Sequence, residues 1–260
     1  QSMSYTAFCA ALHVNPKAQK SFQLYSITGG IPKYWELINP KNTVLQNVED
    51  LFFFISSIME QEPHKWLEDD KVKELVPLSV LTAIGNGAHK PSEIASRMNT
   101  KQTNLSRTLE LLTKYDFIKK EIPFGVSPKD NKKVLYSIID PTLKFWFDIY
   151  QVHRNVWKNY ASEQKNHLLH LHSSQVFEQY LRETVNGQRY WESHIEFDAI
   201  TRTQNQLEVY EMKFNALTDS MRKALLTDLQ LQWEKSQLYS SYSNPHFIVL
   251  GLDALAKKDL

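Results

Sequence analysis

Up to about residue 75 the apolar positions recur at helical spacing, the mark of amphipathic helices. Phe8, Ala11 and Leu12 form one stripe, and Lys17 to Tyr25 forms a second amphipathic run. Gly29-Gly30 interrupts the pattern, and a further helix starts at Pro32 and carries Tyr34, Trp35, Leu37 and Ile38. Proline suits a first helical turn because its missing N–H would have no partner there. Val48 to Glu60 reads as a strongly apolar helix that must pack against a partner. From Asp140 the chain turns aromatic, with Phe145, Trp146, Phe147, Tyr150, Trp157 and Tyr160. At helical spacing these predict a packed helix rather than a base-stacking surface. Of His167, His170 and His172 only the first two could share a helical face, so they read as a solvated helix end rather than metal ligands.

Between Pro77 and Asp140 the pattern changes. Leu78 to Ile84 predicts a helix ended by Gly85-Asn86-Gly87, and Pro91 to Met98 a short second one. A third, Thr103 to Tyr115, has Leu105, Leu109 and Leu112 on one face. Phe117 to Ile122 and Val134 to Ile138 then read as strands joined by a polar turn, Gly125 to Lys133. Three helices and a β-hairpin make the winged form of the helix-turn-helix. The third helix would present Lys101, Gln102, Thr103, Asn104, Ser106 and Arg107 outward, and the wing would carry Lys129, Lys132 and Lys133. Short polar donors at a helix start, with a basic wing, suit phosphate and base-edge contacts of DNA. Such modules also serve as protein-interaction or spacer elements.

The last domain opens with Ser173-Ser174 as an N-cap and a helix from Gln175 to Val185, with Val176, Phe177, Tyr180 and Leu181 as its stripe and Glu178 beside them. Two strict alternations follow. Along Ile195 to Ile200, Ile195, Phe197 and Ala199 share a face opposite Glu196 and Asp198; along Val209 to Phe214, Tyr210, Met212 and Phe214 share a face opposite Val209, Glu211 and Lys213. A hairpin with its tip near Gln204-Asn205 sets Asp198 against Glu211 and Glu196 against Lys213. Opposed carboxylates would lie about 5 Å apart and repel, a conflict that a divalent cation removes. A solvated charge ladder, or a register slipped by one residue, would account for the same residues. A helix from about Asp219 to Glu234 and an apolar strand, Phe247 to Leu250, complete a small mixed α/β domain.

Composition narrows the partners. With 30 basic and 29 acidic residues in 260, no global field draws the chain to polyanions, so any nucleic-acid contact must be a local patch. A single cysteine, Cys9, rules out an internal disulfide framework and suits a reducing cytoplasm. No apolar run reaches membrane-spanning length; Leu51-Phe52-Phe53-Phe54-Ile55 is far too short. Gln1-Ser2-Met3 resembles the remnant of a cleaved tag, which leads us to expect a portion of something longer.

Glu178, then Asp198, then Glu211-Met212-Lys213 resembles the PD-(D/E)XK nuclease-like superfamily, whose motif is a helix Glu, a strand Asp and an E-x-K on the next strand. Three further stretches, Tyr25 to Tyr34, Asp140 to Phe147 and Val176-Phe177-Glu178, resemble the C-terminal part of archaeal-type (AAA/STAND-like) P-loop ATPases. In those an ATPase module and helical lid precede a winged helix and a nuclease-like domain. The resemblance implies four parts: a lid remnant over residues 4–75, the winged helix-turn-helix over 76–140, a linking aromatic helix over 141–172, and a PD-(D/E)XK nuclease-like domain over 173–260. The chain has no G-x-x-x-x-G-K-[ST], so ATP belongs to a missing N-terminal module and no ATPase activity is expected here.

The resemblance further implies Mg²⁺ or Mn²⁺ held by Asp198 and Glu211, with Glu178 as third ligand directly or through water. Lys213 would orient the attacking water or stabilise the transition state, and Glu196 would either tune that lysine or pair with it and leave the metal site inert. Gln230, on the following helix, is a weaker candidate helper. Two functions follow as expectations. One is a metal-dependent DNA nuclease guided by a winged helix; the other is a non-catalytic DNA-binding or protein-interaction module, with the helical and winged-helix segments meeting a protein partner.

Overall fold

The computed structural model of the chain describes residues 3–54, 57–60, 65, 75–127, 133–203, 206–242 and 244–256. It is a mixed α/β protein that divides into two compact units. The first gathers residues 1–15, 20–121 and 133–173; the second gathers 16–19, 122–132 and 174–260. Among the described residues no helix is long and apolar enough to cross a membrane.

In the first unit, helices α1 (Tyr5–Leu12), α2 (Gln19–Thr28), α3 (Pro32–Trp35) and α4 (Val44–Val48) come first. Ser4 caps α1 by accepting from the Ala7 N–H, and Thr43 with Gln46 closes a capping box on α4. Tyr5, Phe8, Phe22, Tyr25 and Trp35 interlock edge to face, with Phe8 at 88° to the Trp35 ring. The expected apolar helix from Val48 is shorter than its pattern. It passes into a π-turn over Glu49–Phe53 and ends at Phe54, which takes extended backbone (ψ 156°). Phe52 and Phe53 are used on Phe145 and Trp157 at 4.6 and 4.1 Å, so the apolar run is consumed by packing before the helix lengthens.

Helices α5 (Leu75–Gly85), α6 (Pro91–Arg97) and α7 (Gln102–Lys114) precede an antiparallel hairpin of β1 (Ile118–Glu121) and β2 (Leu135–Ile138), with Ile118 paired to Ile138. Leu105, Leu109 and Leu112 turn the inner face of α7 into this core. Asp140 caps α8 (Pro141–Phe145), accepting from the Thr142 and Leu143 N–H groups at 2.9 Å each. A π-turn (Trp146–Tyr150) and the short α9 (Gln151–His153) continue the aromatic stretch.

Helix α10 runs unbroken from Ser162 to Thr184, so Ser173-Ser174 is no N-cap. Ser173 is buried, donates to the Leu169 carbonyl one turn back at 2.8 Å and lies 2.9 Å from the Ser26 hydroxyl. A serine that bonds its i−4 carbonyl needs no helix start. His172 is likewise buried within the helix, against the expectation of a solvated end; His167 is exposed.

The second unit is a four-stranded sheet in the order β3 (Gln188–Glu192), β4 (Ile195–Arg202), β5 (Leu207–Met212), β6 (His246–Leu250). The first three pair antiparallel, and α11 (Asp219–Lys235) returns the chain so that β6 runs parallel to β5. Thr218 caps α11 through the Met221 N–H. Phe197, Ile200, Val209, Leu229 and Trp233 form the core between sheet and helix. Phe124, from the loop after β1, joins it and donates its N–H to the Arg189 carbonyl at 2.9 Å. Gly187 is dictated by close approach: a Cβ there would meet the Ala199 Cβ at 2.7 Å.

Candidate carboxylate and lysine site

Strands β4 and β5 pair Ala199 with Tyr210, Ile200 with Val209, Thr201 with Glu208 and Arg202 with Leu207. Continued one step, this register sets Asp198 beside Glu211, as the hairpin pattern predicts; the tip, residues 204 and 205, lies outside the described residues. On the other edge of β4 the register shifts. Tyr190 faces Phe197 and Gln188 faces Ile200, which leaves Asp198 and Ala199 together against Arg189 alone. That is a β-bulge, a device that re-aims side chains. It overturns the expected alternation, because Phe197 and Ile200, three positions apart, now share the core with Trp233.

The bulge gives Asp198 an unusual set of neighbours. Its carboxylate accepts from the Met212 N–H at 2.6 Å, and the Arg182 Nε–H donates to its backbone carbonyl at 2.6 Å. Burial, then the negative charges of Glu178 and Glu211, push its pKa up to about 8, against the pull of the Met212 N–H and Lys213. Burial also raises Glu178, whose carboxyl is steadied by Arg182 one turn on and by Lys213. Burial works against the Lys213 ammonium, but a hydrogen bond and ion pair with Glu211 at 2.5 Å, and the charges of Asp198 and Glu178, hold its pKa above the usual lysine value.

Glu196 is ion-paired with Arg189 and not with Lys213, which pairs with Glu211. Glu196 lies before the bulge, opposite Trp191 of β3, and is held by Arg189, whose Nε–H donates at 2.6 Å. Lys213 lies past the end of β5 and gives its backbone N–H to the Leu250 carbonyl of β6. The structure therefore brings together Glu178, Asp198, Glu211 and Lys213 electrostatically, with Glu196 at the margin, where its charge also raises Glu178. Arg182 and Arg189 were not among the expected residues. Arg182 has a sequence signal, the i+4 spacing from Glu178; Arg189 has none without β3.

The oxygen donors of Asp198 and Glu211 are of the kind that Mg²⁺ and Mn²⁺ accept. Among the described residues, however, no three His, Cys, Asp or Glu side chains are placed to share an ion. Glu211 is turned onto Lys213 and Asp198 onto the Met212 N–H.

In the first unit, Lys101, Gln102, Thr103, Asn104, Ser106 and Arg107 are all exposed along the start of α7, and Asn104 donates to the Thr100 hydroxyl at 3.2 Å. Lys133 is exposed, while Lys129 and Lys132 lie outside the described residues. Gln230 is exposed on α11. Compared with known proteins, the chain matches no family model, and neither a curated protein nor a solved structure is significantly similar to it.

Proposed function

We propose that the second unit is a metal-dependent phosphodiesterase of the PD-(D/E)XK nuclease-like type, and that the helices α5–α7 with their hairpin act as a winged helix that holds DNA. The observation that supports this reading best is the register, which sets Asp198 beside Glu211 with Lys213 two residues on and Glu178 within electrostatic reach. The ATPase resemblance makes this chain the C-terminal portion of a larger enzyme. Asp198 and Glu211 would hold Mg²⁺ or Mn²⁺, with Glu178 completing the set. When bound, the ion polarises a phosphodiester oxygen and acidifies a water. The residues do the remaining work. Asp198 gives up the proton it holds near neutral pH, and Glu211 leaves Lys213, whose freed ammonium then binds a phosphate oxygen.

Titration of Mn²⁺ into wild-type protein and Asp198→Asn by calorimetry tests this. Saturable binding with proton release, lost in the variant, and Mn²⁺-dependent cleavage of single- or double-stranded DNA lost in Lys213→Ala are the expected results. One observation favours a second reading, a non-catalytic regulatory module: Lys213 is closed on Glu211 and no three-ligand set is formed among the described residues. Absence of Mn²⁺ binding in both proteins decides for it. The DNA-binding role carries its own expectation. Lys101→Ala and Arg107→Ala are each expected to weaken duplex binding and to reduce the salt slope of log K by about 1, as loss of one phosphate contact does. An unchanged slope removes α7 from the interface.

A further inference from the structure

Arg182 is only 8 % exposed, a costly place for a guanidinium, which enters a protein interior where its N–H groups find acceptors. It lies in the last turn of α10, and both its backbone and its side chain hold neighbouring segments. Its carbonyl accepts from the Gly187 N–H at 2.8 Å, closing the turn that leads into β3. Its Nε–H donates to the Asp198 carbonyl at 2.6 Å. Between these two bonds the chains touch, since a Cβ on Gly187 would meet the Ala199 Cβ at 2.7 Å. One residue therefore pins the entry to β3 and the bulge of β4 against each other.

The bulge is where such a pin has an effect. Asp198 and Ala199 stand together against Arg189, so the β3–β4 ladder alone does not fix the direction of Asp198. The β4–β5 pairs run as far as Ala199 and Tyr210, and beyond them the Met212 N–H goes to the Asp198 carboxylate at 2.6 Å. Asp198 is thus held at its carbonyl by Arg182 and at its carboxylate by Met212. Both groups hang from one Cα, so fixing the first restricts where the second can point. Charge is the competing role for Arg182, because it lies one turn from Glu178 and favours the ionised form of that carboxyl. A lysine would supply such a charge, but the bond to a neutral peptide carbonyl depends on where the Nε–H sits.

We propose that Arg182 is a positioning residue of the carboxylate site: through the Asp198 carbonyl it locks the bulge and holds the Asp198 carboxylate beside Glu211. The role rests on the phosphodiesterase reading, in which Asp198 and Glu211 hold the ion. Arg182 acts on the ion through Asp198 alone. Groups that orient a metal-binding side chain in this way contribute about 10–100-fold to metal affinity.

NMR of the full chain tests this. In the wild type the Arg182 Nε–H is expected to exchange slowly with solvent, and rapid exchange overturns the proposal before any substitution is made. Three variants then separate position from charge. Glutamine sets an amide N–H as many bonds from the backbone as the arginine Nε, without the charge. Lysine has a methylene at that point and its ammonium a bond further on; methionine has a methyl group and no charge. In protein labelled with ¹⁵N-methionine, the Met212 amide proton reports the Asp198 carboxylate to which it is bonded. Its signal is expected far downfield in the wild type and in Arg182→Gln, and moved upfield in Arg182→Lys and Arg182→Met. The affinity for Mn²⁺ should follow, close to wild type in Arg182→Gln and weaker by about tenfold or more in the other two. If Arg182→Met does not fold, the contrast between glutamine and lysine decides. Signal and affinity kept in Arg182→Lys but lost in Arg182→Gln would assign the role to charge and overturn the proposal. A Met212 signal that no variant moves overturns it too. A wild type that binds no Mn²⁺ sinks the phosphodiesterase reading alone, because the Met212 shifts still decide whether Arg182 sets the bulge.

Discussion

Asp198→Asn is expected to stabilise the protein near neutral pH and at the same time to abolish its response to Mn²⁺. The fold raises the Asp198 pKa from 3.8 to about 8, through burial and then the charges of Glu178 and Glu211. A raised acid binds its proton more tightly in the folded chain than in the unfolded one. Its contribution to stability is therefore present below the unfolded value of 3.8 and is lost as pH rises through about 8. Near pH 7 the unfolded aspartate is ionised and the folded one is largely protonated, at a cost on the order of 2–4 kcal/mol. The low end applies because the charge is shared with two neighbouring carboxyls. Asparagine has no such titration and its side-chain oxygen can still accept from the Met212 N–H.

Chemical denaturation of both proteins from pH 4 to pH 8 checks this: the wild type should lose stability relative to the variant across that range. Parallel curves would mean that Asp198 is ionised in the fold and that the cluster carries no conflict. Mn²⁺ separates the two functional readings in the same measurement. An ion bound by Asp198 and Glu211 would stabilise the wild type by mass action and leave Asp198→Asn unmoved. A frustrated but inert cluster would respond to neither.

That cluster was only half visible in the amino-acid order. The β4–β5 register could be read because both runs alternate strictly around a polar tip, and a single residue of slip would expose Phe197 and Met212. The bulge could not. A period of two marks faces but says nothing of an extra residue until the neighbouring strand is known, and β3 has Tyr190 and Trp191 side by side without a clean alternation. With β3 unread, Arg189 is invisible, and so is its ion pair with Glu196. Helices α6 and α7 were legible to within a residue, since Pro91 and the leucines of α7 mark starts and faces, whereas α5 begins three residues before the expected Leu78. Helix α10 misled for a local reason. Ser173-Ser174 has the chemistry of a cap, and only its contact with Ser26, remote in sequence, shows that it is core.

A neighbouring contact, of His172 with the Ser26 carbonyl, should make the protein acid-sensitive. The His172 Nε2 lies 2.8 Å from the Ser26 carbonyl, which can only accept, so Nε2 carries the proton of the neutral ring. Nδ1 has no partner among the described residues, and the Phe145 ring packs against the imidazole at 5.1 Å. Burial, then the Lys144 ammonium, lower its pKa from 6.5 to about 3, with the Ser26 carbonyl pulling the other way. A depressed histidine contributes stability above the unfolded value of 6.5 that is lost as pH falls from there towards 3. Each pH unit within that window costs about 1.4 kcal/mol, so roughly 2 kcal/mol should disappear between pH 6.5 and pH 5. His172→Gln retains an N–H for the Ser26 carbonyl and does not titrate. Its stability should fall less over the same interval, by that difference, whatever its offset from the wild type. His153, also lowered by burial, is common to both proteins and cancels. Equal losses in the two proteins would show that the buried ring takes up a proton without opening the fold, which would require an acceptor at Nδ1.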